Sequence, residues 1–264
     1  MKLSNLLISA CLLSPYSLCA QNSDETTFQS ASETISPQIH EFKTAMATRR
    51  SSPRRILLFD GNVPAALRTQ ILNDLHDLKA LQGTSGSKLH QDIFSGPVDG
   101  PNYISFFSSR VKTIGFGNNS PVSYAIAFVN ESLYPSKMWL THNYVKFSMP
   151  WMARMLVVFH ESRHTEPNNN HWTHVNCPNP FKDKDGNDMQ SAWTGVLLAG
   201  KPGCDATPSG SYGLSVIMLK NIQKFCSNCP GKVRMDAEIY GDDQLKRIIT
   251  PDAQKIIRDD LNLQ

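Results

Sequence analysis

The sequence predicts a single α+β domain, with a small mixed or antiparallel sheet in its first half and mainly helices in its second half. Two observations predict this fold class. Short apolar runs rich in aromatic and β-branched residues, separated by turn residues, fill much of residues 56–147. From residue 150 onward, apolar residues recur at helical spacing instead. Strands first and helices afterwards is an order typical of α+β folds.

The first 54 residues are predicted to lie outside this domain. Residues 1–20 have the order of a signal peptide: a basic start at Lys2, a short apolar stretch, and small residues up to Ala20, where we place the cleavage. Residues 21–54 are rich in Ser, Thr, Gln and Glu, which is typical of a flexible linker or arm, and a role as a pro-segment stays open. The folded domain then spans residues 55–264, and the protein is predicted to be secreted or periplasmic.

The first half of the domain is predicted to contain one helix among several strands. Residues 56–59 form a short apolar strand that ends in a turn, and Pro64 then begins a helix that runs to about residue 81. Residues 83–100 are loop-like in composition. Further strands are predicted at residues 103–107, 111–116, 124–129 and 138–147.

The second half is predicted to contain four helices. Pro150 begins the first, which includes the apolar run at residues 155–159. An irregular stretch follows at residues 166–209. The apolar spacing then predicts three further helices, around residues 214–222, around residues 235–240, and from Pro251 after a capping Thr250.

Composition and charge exclude two classes of function. The sequence contains no run of 18 or more apolar residues, so we expect no membrane-spanning helix. The net charge is only +3, and the basic residues are scattered, which argues against a nucleic-acid partner. The sequence does not indicate the oligomeric state.

Four of the six cysteines remain after cleavage of the predicted signal peptide. An even number in an oxidising compartment predicts two disulfide bonds. Of the three possible pairings we favour Cys177–Cys204 with Cys226–Cys229. The second pair is a C-x-x-C motif, which is also found in zinc knuckles and redox sites. The chain has no second C-x-x-C and no strand-turn pattern before this one, and both facts favour a structural bridge.

A metal-binding motif directly follows the apolar run at residues 155–159. Residues 160–164 read His-Glu-Ser-Arg-His, which is H-E-x-x-H. Positions four apart share one face of a helix, so His160 and His164 can bind the same ion. Glu161 is turned slightly from that face and can reach a metal-bound water. This chemistry predicts a zinc site, with Zn²⁺ lowering the pKa of the water and Glu161 acting as general base.

A catalytic zinc site needs a third protein ligand and an open position. We favour His174, which lies ten residues after His164, and keep Asp205 and His171 as alternatives. Asp236 is a further candidate, as a group that orients one of the imidazoles or as a residue near a helix N-terminus.

The H-E-x-x-H motif followed by Tyr212-Gly213 and an amphipathic helix resembles the deuterolysin and peptidyl-lysine metalloendopeptidase group, the aspzincins. The resemblance covers roughly residues 150–240 and implies a zincin-like fold with an active-site helix. In that group an aspartate ligand stands three residues before the tyrosine, whereas here Asp205 precedes Tyr212 by seven. Arg163 is a second departure, because zinc peptidases usually have an uncharged residue there. Tyr212 is predicted to donate a hydrogen bond to the oxyanion or, alternatively, to lie at the edge of the core.

The sequence therefore predicts a secreted zinc-dependent peptidase that acts on a peptide or protein substrate. The substrate is expected to lie along an edge strand of the sheet. Two alternatives stay open. One is a metal amidase that acts on cell-wall peptides, and the other is a non-catalytic secreted binding or structural protein on a zincin-like scaffold.

Overall fold

The computed structural model describes residues 57–117 and 124–262, so the predicted signal peptide and arm lie outside the described residues. Its strands are β1 (Leu58–Phe59), β2 (Thr113–Phe116), β3 (Ala127–Val129), β4 (Lys137–Leu140), β5 (Val175–Asn176) and β6 (Pro202–Cys204). Its helices are α1 (Ala65–Lys79), α2 (Lys88–Phe94), α3 (Gly100–Arg110), α4 (His142–Lys146), α5 (Trp151–His164), α6 (Ser211–Phe225), α7 (Gly231–Leu245) and α8 (Pro251–Leu261). The α+β class and the mainly helical second half are confirmed.

The larger sheet is small and mixed, as the sequence predicts. Its strand order is β1-β2-β4-β3, with β1, β2 and β4 parallel to one another. The strand β3 pairs antiparallel with β4, and Ala127 lies opposite Leu140. Among the described residues, β3 therefore forms one edge of this sheet, and helix α5 contacts it.

The predictions for residues 83–107 are wrong. Residues 103–107 belong to helix α3, which has a proline at its start, and residues 83–100 contain helix α2. Tyr103, Phe106 and Phe107 are spaced three and four apart, so they lie on one face of α3 and are buried together against Phe159 of α5. Aromatic residues suit a half-buried strand or a helix face equally, and this packing decides for the helix.

The strand predicted at residues 138–147 is too long. β4 ends at Leu140, and the short helix α4 follows it. Thr141 causes this change, because its hydroxyl accepts a hydrogen bond from the backbone N–H of Asn143 and caps α4. The same hydroxyl donates to the carbonyl groups of Ala125 and Ile126, so the cap is also tied to the chain before β3.

Helix α5 lies at the centre of the main core. It contacts α1, α3, α6, α7 and β3. All of its residues from Met155 to His164 are buried, because the helix is covered on every side. Helices α6 and α7 pack against each other and against α5, as their apolar spacing predicts.

Both favoured disulfide pairings are present. Cys177–Cys204 links the residue that follows β5 to the last residue of β6, its antiparallel partner, within the stretch that the sequence indicates only as irregular. Cys226–Cys229 links the end of α6 to the start of α7. Within the described ranges, no helix is both long and apolar enough to cross a membrane.

A buried histidine outside the metal motif predicts how stability depends on pH. His90 is fully buried; its Nδ1 lies 3.0 Å from the Gly96 carbonyl oxygen and its Nε2 lies 2.8 Å from the Tyr103 hydroxyl. Burial lowers the pKa of His90 from 6.5 to about 4. Because the folded pKa lies below the unfolded one, the neutral ring stabilises the fold fully above about pH 6.5, and this stabilisation decreases as the pH falls towards 4.

We therefore expect a His90→Gln variant to lose less stability than the wild type when the pH is lowered from 7 to 5. Between pH 7 and pH 5, the free energy of unfolding should fall by roughly 2 kcal/mol more in the wild type than in the variant. Urea unfolding of the metal-free wild type and the metal-free variant at each pH measures these free energies. All other titrating groups are present in both proteins, so their contributions cancel in the comparison. Parallel pH slopes would contradict the prediction.

Candidate metal centre

Helix α5 positions two histidines and a glutamate at its buried C-terminal end. Its apolar run, residues 155–159, anchors the helix in the core, and the H-E-x-x-H residues follow directly. His160 and Glu161 are fully buried, and His164 is 5% exposed. The continuous helix places His160 and His164 one turn apart on the same face.

Three histidine side chains converge at this point, those of His160, His164 and His174. The Nε2 atom of His160 lies 3.1 Å from Nε2 of His174 and 3.4 Å from Nε2 of His164. The candidate ligand atoms of all three lie within 4.8 Å of one another. Two nitrogens bound tetrahedrally to one zinc at 2.0–2.1 Å would lie about 3.3 Å apart. The cluster could therefore bind a metal ion.

The surroundings of the cluster keep two of its imidazoles neutral. Burial, with the neighbouring His174 as the next largest cause, lowers the pKa of His160 well below its usual value of 6.5. Burial and His174 have the same effect on the pKa of His164. A histidine binds a metal through its neutral form, so protons compete little for these two side chains at neutral pH.

His171 does not join the cluster, but its backbone orients a member of it. Nδ1 of His164 donates a hydrogen bond to the carbonyl oxygen of His171 at 2.8 Å, which leaves Nε2 of His164 as the atom that faces the other imidazoles. Asn170, His171 and Trp172 have positive φ angles of 52–55°, which non-glycine residues rarely adopt. This tight turn brings His174 back to the end of α5.

Asp205 also lies outside the cluster, on the far side of the His174 ring. Its Oδ1 accepts a hydrogen bond from Nδ1 of His174 at 2.8 Å, and its Oδ2 accepts one from the backbone N–H of Tyr212 at 2.7 Å. Asp236 forms an ion pair with Lys232 on the same helix, α7. Within the part of the chain that the structure describes, no hydrogen bond joins its carboxylate to any of the three imidazoles.

The ring of Tyr212 packs against the cluster. It stacks on His174 with ring centres 4.7 Å apart and meets the edge of His160 at 4.6 Å. Its hydroxyl lies 3.4 Å from Nη1 of Arg247, whose guanidinium lies 5.0 Å from the centre of the tyrosine ring. The hydrogen bond from Tyr212 to an oxyanion stays a prediction. No sequence pattern distinguishes Arg247, because an isolated arginine at the end of a helical pattern has no local signal.

Arg163, the unusual charge within the motif, points into a separate polar network. Its Nη1 binds both carboxylate oxygens of Glu166 at 2.8 Å, and its Nε and Nη2 donate to the Ser209 carbonyl oxygen. The guanidinium also lies 4.0 Å from the centre of the Trp172 ring. The arginine therefore ties the end of α5 to the following turn and to the segment before α6.

Comparisons with known proteins do not assign the chain to a family. A scan against protein-family models found no matching family, and searches of curated proteins and of solved structures found no match.

Proposed function

We propose that this protein is a zinc-dependent peptidase in which His160, His164 and His174 hold the metal. The observation that carries the proposal is the close approach of their Nε2 atoms. Imidazole nitrogen suits several transition metals, and a glutamate next to a ligating histidine on the same helix favours hydrolytic zinc. Three protein ligands also leave the fourth tetrahedral position for water or substrate, as catalytic zinc requires.

Glu161 is proposed as the general base. When bound, zinc would lower the pKa of a coordinated water towards 7. Glu161 directly follows His160 on α5 and is fully buried, so its carboxylate interacts with nearby charge in a medium of low dielectric. It accepts the proton of the attacking water and later passes it to the nitrogen of the departing amine.

The substrate in this proposal is an extended peptide that lies along an edge strand of the sheet. Of the described strands, β3 lies at an edge and contacts the helix that carries the cluster, but its three residues are buried, so the peptide is assigned to no particular strand. Main-chain hydrogen bonds to an edge strand are a common mode of peptide binding. Secretion belongs to the same proposal, and the two disulfides are compatible with an extracellular protein. The zincin-like fold suggested by the aspzincin resemblance is supported by the helix, sheet edge and histidines described above.

The decisive experiment is a Glu161→Gln variant, because glutamine keeps the size of the side chain but cannot accept the proton. We expect the variant to bind zinc as the wild type does and to hydrolyse peptides about 10²- to 10⁴-fold more slowly. Zinc content is measured by elemental analysis, and hydrolysis is measured on a broad peptide library that includes cell-wall peptides. Glu238→Gln, an exposed substitution on α7, is the matched control and should leave both values unchanged.

The outcomes separate the alternatives. Hydrolysis confined to cell-wall peptides would favour the amidase. A wild type that binds zinc but is inert on the whole library would favour a binding or structural protein. Unchanged hydrolysis by Glu161→Gln would contradict the assignment of the general base.

A further inference from the structure

Asp205 occupies a fixed position between two parts of the site. Its backbone N–H donates to the Arg247 carbonyl oxygen, and its own carbonyl oxygen accepts from the N–H of Ile249, both at 2.9 Å. The residue directly follows β6, which pairs with β5 just after His174. Asp205 is only 3% exposed, so neither its backbone nor its carboxylate can move far.

The carboxylate of Asp205 connects a histidine of the cluster to the start of a helix. One oxygen accepts from Nδ1 of His174, and the other accepts from the N–H groups of Tyr212 and Gly213 in the first turn of α6. A helix N-terminus favours a negative charge, and α6 is 15 residues long. A carboxylate only accepts hydrogen bonds, so the proton of the shared bond belongs to Nδ1 of His174. Nε2 of His174 then keeps its lone pair for a metal.

Gly210 shows how closely the chain encloses this carboxylate. A Cβ atom at Gly210 would lie only 2.2 Å from Oδ2 of Asp205, a separation that no real side chain could keep. The absence of a side chain at residue 210 therefore lets the first turn of α6 approach the carboxylate.

We propose that Asp205 is a positioning residue of the metal centre: it holds His174 in the tautomer that presents Nε2 to the metal, and it ties that imidazole to the first turn of α6. The inference rests on the proposed function because it requires a bound metal, but it does not require that the protein hydrolyse a peptide. This role differs from that of a third metal ligand, because Asp205 contacts Nδ1 of His174, whereas Nε2 is the atom of that ring that faces the other two histidines.

An Asp205→Asn variant tests the role because one amide cannot replace two accepting oxygens. If the amide oxygen faces His174, the amide NH₂ opposes the N–H of Tyr212. If the amide is turned the other way, its NH₂ donates to Nδ1 of His174 and moves the ring proton to Nε2. We expect zinc affinity to fall 10- to 100-fold, the range usual for loss of a group that orients a metal ligand.

Zinc affinity of the full chain is measured by competition with a chromophoric chelator. The tautomer of His174 is read by ¹⁵N NMR of labelled protein, in which the wild type should carry its proton on Nδ1. Asp74→Asn is the matched control, because Asp74 is a buried aspartate on α1 that pairs with Arg154 near the start of α5, away from the histidines at the end of that helix. It should leave zinc affinity and the tautomer unchanged. Gly210→Ala provides a second variant that displaces the carboxylate without removing it, and it should also weaken zinc binding.

The outcomes distinguish this inference from the proposed function. A wild type that binds no zinc would overturn both. A wild type that binds zinc, together with Asp205→Asn and Gly210→Ala variants that bind it equally tightly, would overturn only the role of Asp205. If Asp205→Asn fails to fold, as judged by circular dichroism, Gly210→Ala decides the question by the same two measurements.

Discussion

Replacing His160 with alanine is expected to abolish tight zinc binding. His160 is the central member of the cluster, since its Nε2 is close to Nε2 of both His164 and His174. Structural zinc sites have apparent binding free energies of about 10–16 kcal/mol, so one of three protein ligands accounts for about 3–5 kcal/mol if they share it evenly. The loss corresponds to a roughly 10²- to 10⁴-fold weaker affinity.

Thermal unfolding with and without zinc measures this effect. A zinc concentration 100 times Kd should stabilise the wild type by about 2.7 kcal/mol, which raises the Tm of a domain of this size by about 5–10 °C. The same concentration should leave the Tm of His160→Ala almost unchanged. His76→Ala is the matched control, because His76 is exposed on α1, and it should respond to zinc as the wild type does. A zinc response retained by His160→Ala would show that the ion binds elsewhere.

Removing the Cys177–Cys204 disulfide, by a Cys177→Ala, Cys204→Ala double substitution, is expected to weaken both the fold and the metal centre. The bridge closes a loop over a sequence separation of 27 residues, for which loop-closure entropy predicts a loss of about 3.5 kcal/mol. It also joins β5 to β6, the strands next to His174 and Asp205. Loosening them should weaken zinc binding in addition to lowering stability.

The second disulfide provides the comparison. Cys226–Cys229 spans a separation of only three residues, so the same argument predicts a loss of about 1.6 kcal/mol for its double alanine variant. It lies at the end of the 15-residue helix α6, about 20 Å from the start of that helix near the cluster. Zinc affinity should therefore stay at the wild-type value. Urea unfolding and chelator competition measure the two quantities, and equal zinc affinities for both double variants would contradict the positional argument.

The sequence predicts those parts of the site that depend on neighbouring residues along the chain. The spacing of His160 and His164 fixes a shared helix face, and the apolar run before them predicts a buried helix. Asp205 directly follows Cys204, and His174 stands three residues before Cys177, but their contact is known only from the structure, in which the disulfide brings the two side chains together. The turn at residues 170–172, with its positive φ angles, has no comparable pattern because it contains no glycine.

The α+β class, the helix with its two histidines and the presence of two disulfides follow from the sequence, because helical periodicity and an even number of cysteines are local or countable properties. The sequence favours one of three possible cysteine pairings, and the structure confirms it. Tertiary packing makes residues 103–107 helical, since their aromatic rings pack on Phe159 from a distant part of the chain. It also decided that His174 meets the other two imidazoles while His171 and Asp205 contact the cluster from behind. The physical reason is that these contacts join residues across turns and strand pairs, whose geometry depends on packing and long-range hydrogen bonds.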